Sequence, residues 1–93
     1  MATVVYPTAS QKSNKSINPK NGKKFTLEEL QKLVGGNIER IHLPNGDQFI
    51  VNEYGLPLGL GTNLEATAIC LRWGLRLQFP IVGTVVYCEL GEF

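Results

Sequence analysis

Asn45-Gly46, set between two stretches that alternate in polarity, constrains the fold of this 93-residue chain more than any other feature. Asn-Gly favours the positive φ angles of a two-residue hairpin, so Pro44-Asn45-Gly46-Asp47 is predicted as a tight turn. Before it, Asn37–Leu43 places Glu39, Ile41 and Leu43 on one side and Ile38, Arg40 and His42 on the other. After it, Gln48–Tyr54 sets Phe49 and Val51 against Ile50. An antiparallel hairpin follows, and the rest of the chain has to pack on it.

Two helix starts flank the hairpin. Thr26 can cap free amides, Glu29 can reach back to it, and Phe25 can pack on Leu30 as a staple, so a helix is predicted from Leu27. Leu27, Leu30, Leu33 and Val34 share one face, and Gly35-Gly36 supplies the left-handed residue that ends such a helix. Thr62 and Glu65 repeat the capping spacing, with Asn63 an equally good cap one residue later. The helix Leu64–Trp73 then puts Leu64, Ala68 and Leu71 on one face, with Ile69 close by, and Gly74 ends it.

Thr3, Val4, Val5 and Tyr6 form strands well, and Pro7 stops the run. Leu75–Phe79 reads as a short strand or extended connector, and Ile81–Cys88 as a buried strand. The order strand, helix, strand, strand, helix, strand predicts an α+β domain of ferredoxin-like βαββαβ order, an antiparallel sheet with two short helices on one face. Without its first strand the domain becomes a three-stranded α+β fold with a disordered N-terminal arm. Residues 1–24 are read as a first strand and a mobile lysine-rich arm, 25–88 as a single domain and 89–93 as a loose tail. Between Thr8 and Lys24 only Ile17 is available to bury, too little to offset the entropy of ordering.

Charge is unevenly spread. Residues 1–36 hold Lys12, Lys15, Lys20, Lys23, Lys24 and Lys32 against two acids, whereas residues 37–93 hold three arginines against six acids. The overall charge of +1 gives no bulk attraction for nucleic acid. The lysine-rich segment is better read as a solvated stretch than as a phosphate-binding arm. Cys70 and Cys88 lie far apart in apolar runs and read as buried free thiols. No apolar run nears the ~20 residues of a membrane helix, and the start lacks a secretory pattern. A soluble, cytoplasmic protein is expected.

Catalytic sets are sparse. His42 is the only histidine and no serine follows Ser16, so a nucleophile with a histidine base has little to draw on. Glu39, Asp47, Glu53 and Glu65 do not recur at a metal-ligand spacing, and no catalytic residue, metal or cofactor is assigned. Glu53 ends a strand beside Asn52 and would face Asn63 across a short loop, where a carboxylate could accept a ligand amine or act as a base. Alternatively, Asn52 and Glu53 satisfy loop amides. Gly61-Thr62-Asn63 at a helix start could hold a phosphate or carboxylate, although capping explains the same residues. Gly55, Gly59 and Gly61 do not have the spacing of a phosphate-binding loop. The candidate binding set is therefore Asn52, Glu53, Gly61, Thr62, Asn63 and Thr67. Tyr54, Trp73, Phe79 and Tyr87 are too dispersed to stack bases in series.

At Leu30–Glu39 (LQKLVGGNIE), Val51–Gly55 (VNEYG), Asn63–Thr67 (NLEAT) and Ile81–Val85 (IVGTV) the chain resembles a family of small proteins catalogued only as a domain of unknown function. The likeness spans about residues 19–88 and rests on Gly35, Gly36, Glu39, Asn52, Glu53, Gly55, Asn63, Ala66, Thr67 and Gly83. Gly61-Thr62 departs from it, since leucine and proline are more usual there. The resemblance implies an accessory protein of a bacteriophage or conjugative element, with no assigned activity. The expected function is non-enzymatic binding of a host macromolecule. The alternative is a protein that binds or sequesters a small nucleotide-like signal, as a homo-oligomer if its pocket is built between subunits. An enzyme using Glu53 as base ranks third.

Overall fold

The computed structural model describes residues 1–93, and it is built around the predicted hairpin. Five strands, β1 (Ala2–Val5), β2 (Lys15–Ile17), β3 (Ile38–His42), β4 (Gln48–Asn52) and β5 (Val85–Cys88), form one antiparallel sheet in the order β2-β1-β5-β4-β3. Two helices, α1 (Leu27–Val34) and α2 (Leu64–Arg72), complete an α+β fold.

Central strand β4 decides the layering. Phe49 and Val51 cluster with Ala66 and Cys70 of α2, whereas Ile50 clusters with Leu30 and Val34 of α1. Successive strand residues point to opposite faces, so the helices lie on opposite sides of the sheet. This corrects the expected ferredoxin-like arrangement with both helices on one face, and β5 sits between β1 and β4. The reason is visible in the sequence: Phe49-Ile50-Val51 is an uninterrupted apolar run, every residue of β4 is buried, and a strand buried on both faces needs a cover on each.

Helix α1 matches its sequence signals except at Leu27, which is 45% exposed while Leu30 and Val34 are buried. Thr26 Oγ1 accepts from the Glu29 amide while Glu29 Oε1 accepts from the Thr26 amide, and Gly35 closes the helix at φ 82°.

Helix α2 departs from its signals. Leu64 and Leu71 are exposed, with Ala68, and the buried side is Ala66 and Cys70. Asn63 rather than Thr62 is the N-cap, and its wholly buried side chain fixes the rotation of the helix that follows. Capping geometry therefore overrides the apolar stripe.

Three other segments differ from expectation. Lys15–Ile17 pairs with β1, so part of the lysine-rich stretch is an edge strand, and Ile17 supplies its one core contact. The chain is therefore not the three-stranded alternative with a disordered arm. Residues 81–83 leave β5 to pair with 61–63 through a bridge between Thr62 and Val82, while Leu75–Phe79 takes the connector form of its two expected ones. The tail is tied down: Leu90 N–H donates to Asp47 (2.8 Å), Phe25 N–H donates to the Glu92 carbonyl (2.7 Å), and Arg40 lies 4.2 Å over the Phe93 ring.

Asp47 is the centre of that tie, accepting hydrogen bonds from Tyr87, Leu90 and Asn45. Burial works most strongly to raise its pKa, yet these donors together hold the carboxyl below its usual range. Burial, and then the charge of Glu92, push the Cys88 thiol up to about 12. A depressed carboxyl gives stability that is present above its unfolded pKa, about 4, and lost as pH falls through the folded value. A raised thiol gives stability that is present below its unfolded pKa, about 8.5, and lost as pH rises toward the folded value. The thermal midpoint should be flat from roughly pH 5 to 8 and fall on both sides; a scan showing no decline above pH 9 would contradict the Cys88 assignment.

Candidate functional site

The sequence groups Asn52, Glu53 and Asn63 around one loop; the structure gives each a different task, with Asn52 and Glu53 bordering one groove and Asn63 apart from it. Asn52 lies on the α1 side, where Nδ2 donates to the Val34 carbonyl (3.1 Å) and Oδ1 accepts from the Tyr54 amide (2.8 Å). Its amide satisfies a carbonyl at the helix end that has no partner within the helix. Gly36 leaves room for this, because a Cβ there would stand 3.0 Å from Asn52 Nδ2.

Asn63 is more deeply committed. Its Nδ2 donates to the Val5 and Gly83 carbonyls (both 3.0 Å), and its Oδ1 accepts from the Ala66 amide (3.1 Å). Its backbone N–H donates to Ile81 (2.8 Å) and its carbonyl accepts from the Thr67 amide (3.0 Å) and hydroxyl (2.8 Å). The Thr67 Oγ1 in turn accepts from the Ile81 amide (2.9 Å). One side chain thus joins the end of β1, the approach to β5 and the start of α2. The Gly61 carbonyl takes the Gly83 amide (2.7 Å), and the Thr62 carbonyl takes the Thr8 amide (2.9 Å). These bonds engage the carbonyls of Gly61 and Thr62, whereas neither residue's amide donates within the fold. The Leu64 amide is also taken, by Thr8 Oγ1 (2.8 Å).

Glu53 is different. It is exposed, its backbone N–H donates to Asn37 (2.8 Å), and its carboxylate forms neither a hydrogen bond nor an ion pair. It lies with Glu39 along an open groove of about 350 Å³ on the α2 side of β3 and β4. The far wall is the irregular segment Arg76–Val82, and Ile41, Leu56 and Phe79 give the groove its apolar lining. Phe79 is 55% exposed and Leu56 50%, so apolar surface lies open beside the two carboxylates. Glu39 is likewise exposed and unpaired, and Arg76, at the same groove, makes no ion pair with either acid.

These placements separate the residues that carry the family resemblance. Gly35, Gly36 and Asn52 build the α1 exit; Asn63, Ala66 and Thr67 build the α2 entry, where Gly83 accepts from Asn63. A Cβ on Gly55 would meet Val82 Cγ2 at 2.7 Å, and one on Gly83 would meet Leu60 Cδ1 at 2.8 Å, so both glycines seat the loop against the β5 approach. Glu39 and Glu53 remain; both line the groove, which Asn52 and Gly55 also border. Sequence reasoning singled out Glu53 but left Glu39, Phe79 and Arg76 out of the candidate set. Glu39 shares a strand face with Ile41, the one signal that could have placed it beside the groove. Nothing local shows that residues 76–82 would cross over it.

Chemically, the groove offers negative charge beside apolar surface. No group of three or more His, Cys, Asp or Glu side chains is placed to hold a metal ion. No helix is long and apolar enough to cross a membrane. The lysines of residues 12–24 pair with no acid within 4.0 Å. A family model described as a domain of unknown function (DUF3846) matches residues 2–93, a wider span than the sequence motifs cover. No curated protein and no solved structure matches the chain.

Proposed function

We propose that this chain, which belongs to the family described as a domain of unknown function (DUF3846), is a non-enzymatic accessory protein of a phage or mobile genetic element. It binds a host protein in the bacterial cytoplasm. The observation that carries this reading is the pair Glu39 and Glu53: exposed, unpaired and set along a groove with half-exposed Phe79 and Leu56. The other residues of the resemblance have tasks within the fold. Unpaired carboxylates beside apolar surface suit a partner that presents a basic side chain next to an apolar one. The likeness of the sequence motifs to phage and conjugative-element proteins supports the setting.

Affinity capture from a bacterial lysate tests the reading. The wild-type chain should retain a host protein, and the double variant Glu39→Gln/Glu53→Gln should retain markedly less at low salt while unfolding at the wild-type midpoint. Undiminished capture by a folded double variant would remove the groove from the account.

A second reading, a binder of a small nucleotide-like ligand, is favoured by one observation: a groove of about 350 Å³ reaches the size range of small-molecule pockets. Its two acids outnumber Arg76 and make the groove net negative, which disfavours phosphate, so the ligand would meet the groove through an amine-bearing end. A thermal-shift panel of nucleotides and cationic metabolites separates the readings, since a ligand at a hundred times its Kd stabilises by about 2.7 kcal/mol.

A further inference from the structure

We infer that β3 is an acceptor edge: it takes an added antiparallel strand from a partner protein whose sequence runs apolar, acidic, basic. This rests on the protein-binding reading and specifies its surface.

The backbone sets the geometry. Leu43 N–H donates to Asp47 (2.9 Å) and Asn37 accepts from Glu53 (2.8 Å), so the odd-numbered residues from 37 to 43 are turned toward β4. In an antiparallel pair such residues alternate with ones whose N–H and C=O face away. Ile38, Arg40 and His42 therefore present their peptide groups on the outer side, and β3 is the terminal strand of the sheet. None of the backbone bonds outside helices and strands reaches these three residues. An open row of this kind is a template for another strand.

Charge selects the occupant. In a two-fold pairing of β3 with a second copy, facing residues must share a sheet face, and Glu39 and Arg40 lie on opposite faces. The three registers with most overlap set Glu39 against Glu39, Arg40 against Arg40, or Arg40 against His42, and none gives either residue an opposite charge. Like charges placed directly opposite are destabilising. The other edge, β2, offers Lys15 and no acid to Arg40. A second copy of this chain is therefore disfavoured at β3.

A foreign strand meets the requirement. Running antiparallel, it places an apolar residue opposite Ile41, an acid opposite Arg40 and a base opposite Glu39. The first and third of these fall on the α2 side, where Glu39, Ile41 and Glu53 line the groove and Phe79 stands across from them. Backbone bonds then supply adhesion, and the alternating pair of charges sets the register.

The test is amide exchange on the isotope-labelled full chain with a short capped peptide of valine and threonine around a central Val-Glu-Lys. Exchange should slow at Ile38, Arg40 and His42, and stay unchanged at Glu39 and Ile41, which already bond to β4. Arg40→Glu should weaken binding roughly fivefold to tenfold, and a peptide with lysine in place of glutamate should restore it. Because Arg40 also covers Phe93, Glu39→Lys against a peptide with glutamate in place of lysine gives an independent exchange. No slowing at the three amides up to millimolar peptide, or slowing that neither charge reversal alters, overturns the inference. In lysate capture, equal recovery of one host protein by wild-type and Arg40→Glu chains overturns strand addition and leaves protein binding standing. Recovery by neither removes both.

Discussion

Asn63→Ala is expected to cost about 3–5 kcal/mol of folding stability, more than a surface-loop polar residue normally carries. Losing the cap at the Ala66 amide accounts for about 1 kcal/mol. The remainder comes from the Val5 and Gly83 carbonyls, which lose the Asn63 donors at a position with no exposed surface, at about 1–2 kcal/mol each. Asn63→Ser separates the two contributions, because serine keeps an acceptor for the cap and removes both amide donors without burying a charge. Urea unfolding reads the difference as a shift in midpoint at unchanged slope. A loss under about 1 kcal/mol for the alanine variant would mean that the two carbonyls find water, and the hub assignment would be wrong.

Phe49→Ala should be comparably severe, about 3–5 kcal/mol, since the ring is fully buried in the central strand and leaves a cavity facing α2. Its effect should extend to the tail. Phe49 packs edge-on against Tyr87, with centroids 5.1 Å apart and planes at 80°, and Tyr87 donates to the carboxylate that also accepts from the Leu90 amide. Amide exchange at Leu90 should therefore rise in Phe49→Ala. Phe49→Leu should cost less, about 1–2 kcal/mol. Unchanged protection at Leu90 in the alanine variant would show that the tail is held independently of this stack.

The parts of the fold that were legible in the sequence are those set by neighbours a few residues apart. The Asn45-Gly46 hairpin, the Thr26/Glu29 capping box and the Gly35 helix end all depend on local geometry, and each forms where expected, although the turn is not the expected two-residue one: φ is positive at Gly46 alone, and Leu43 N–H donates to the Asp47 carbonyl across a three-residue loop. The misplaced features depend on partners distant in the chain. Leu64, Ala68 and Leu71 make a convincing stripe, yet α2 is rotated by bonds from Asn63 to Val5 and Gly83. The continuous apolar run Phe49-Ile50-Val51 already implied burial on both faces, and reading it that way would have put a helix on each side. Lys15–Ile17 has too little apolar content to announce a strand; it becomes one because β1 has an open edge beside it.

The site shows the same division. Asn52, Asn63 and Thr67 were singled out because polar residues beside glycines at a helix start suit a ligand, and the same chemistry suits capping and carbonyl satisfaction. Only tertiary hydrogen bonds distinguish the two uses. Glu53 keeps a free carboxylate, and its companion Glu39 comes from the partner strand of the hairpin.

The central claim is that this chain acts through an open groove and a free strand edge on a partner protein, with Asn52, Asn63 and Thr67 holding the fold. Native mass spectrometry of freshly purified protein tests it most directly. The account predicts subunits at the 10.3 kDa mass of the chain with no small molecule attached. A stoichiometric extra mass of metabolite size, retained through purification and lost in Glu53→Gln, would contradict it and establish the groove as a small-ligand pocket.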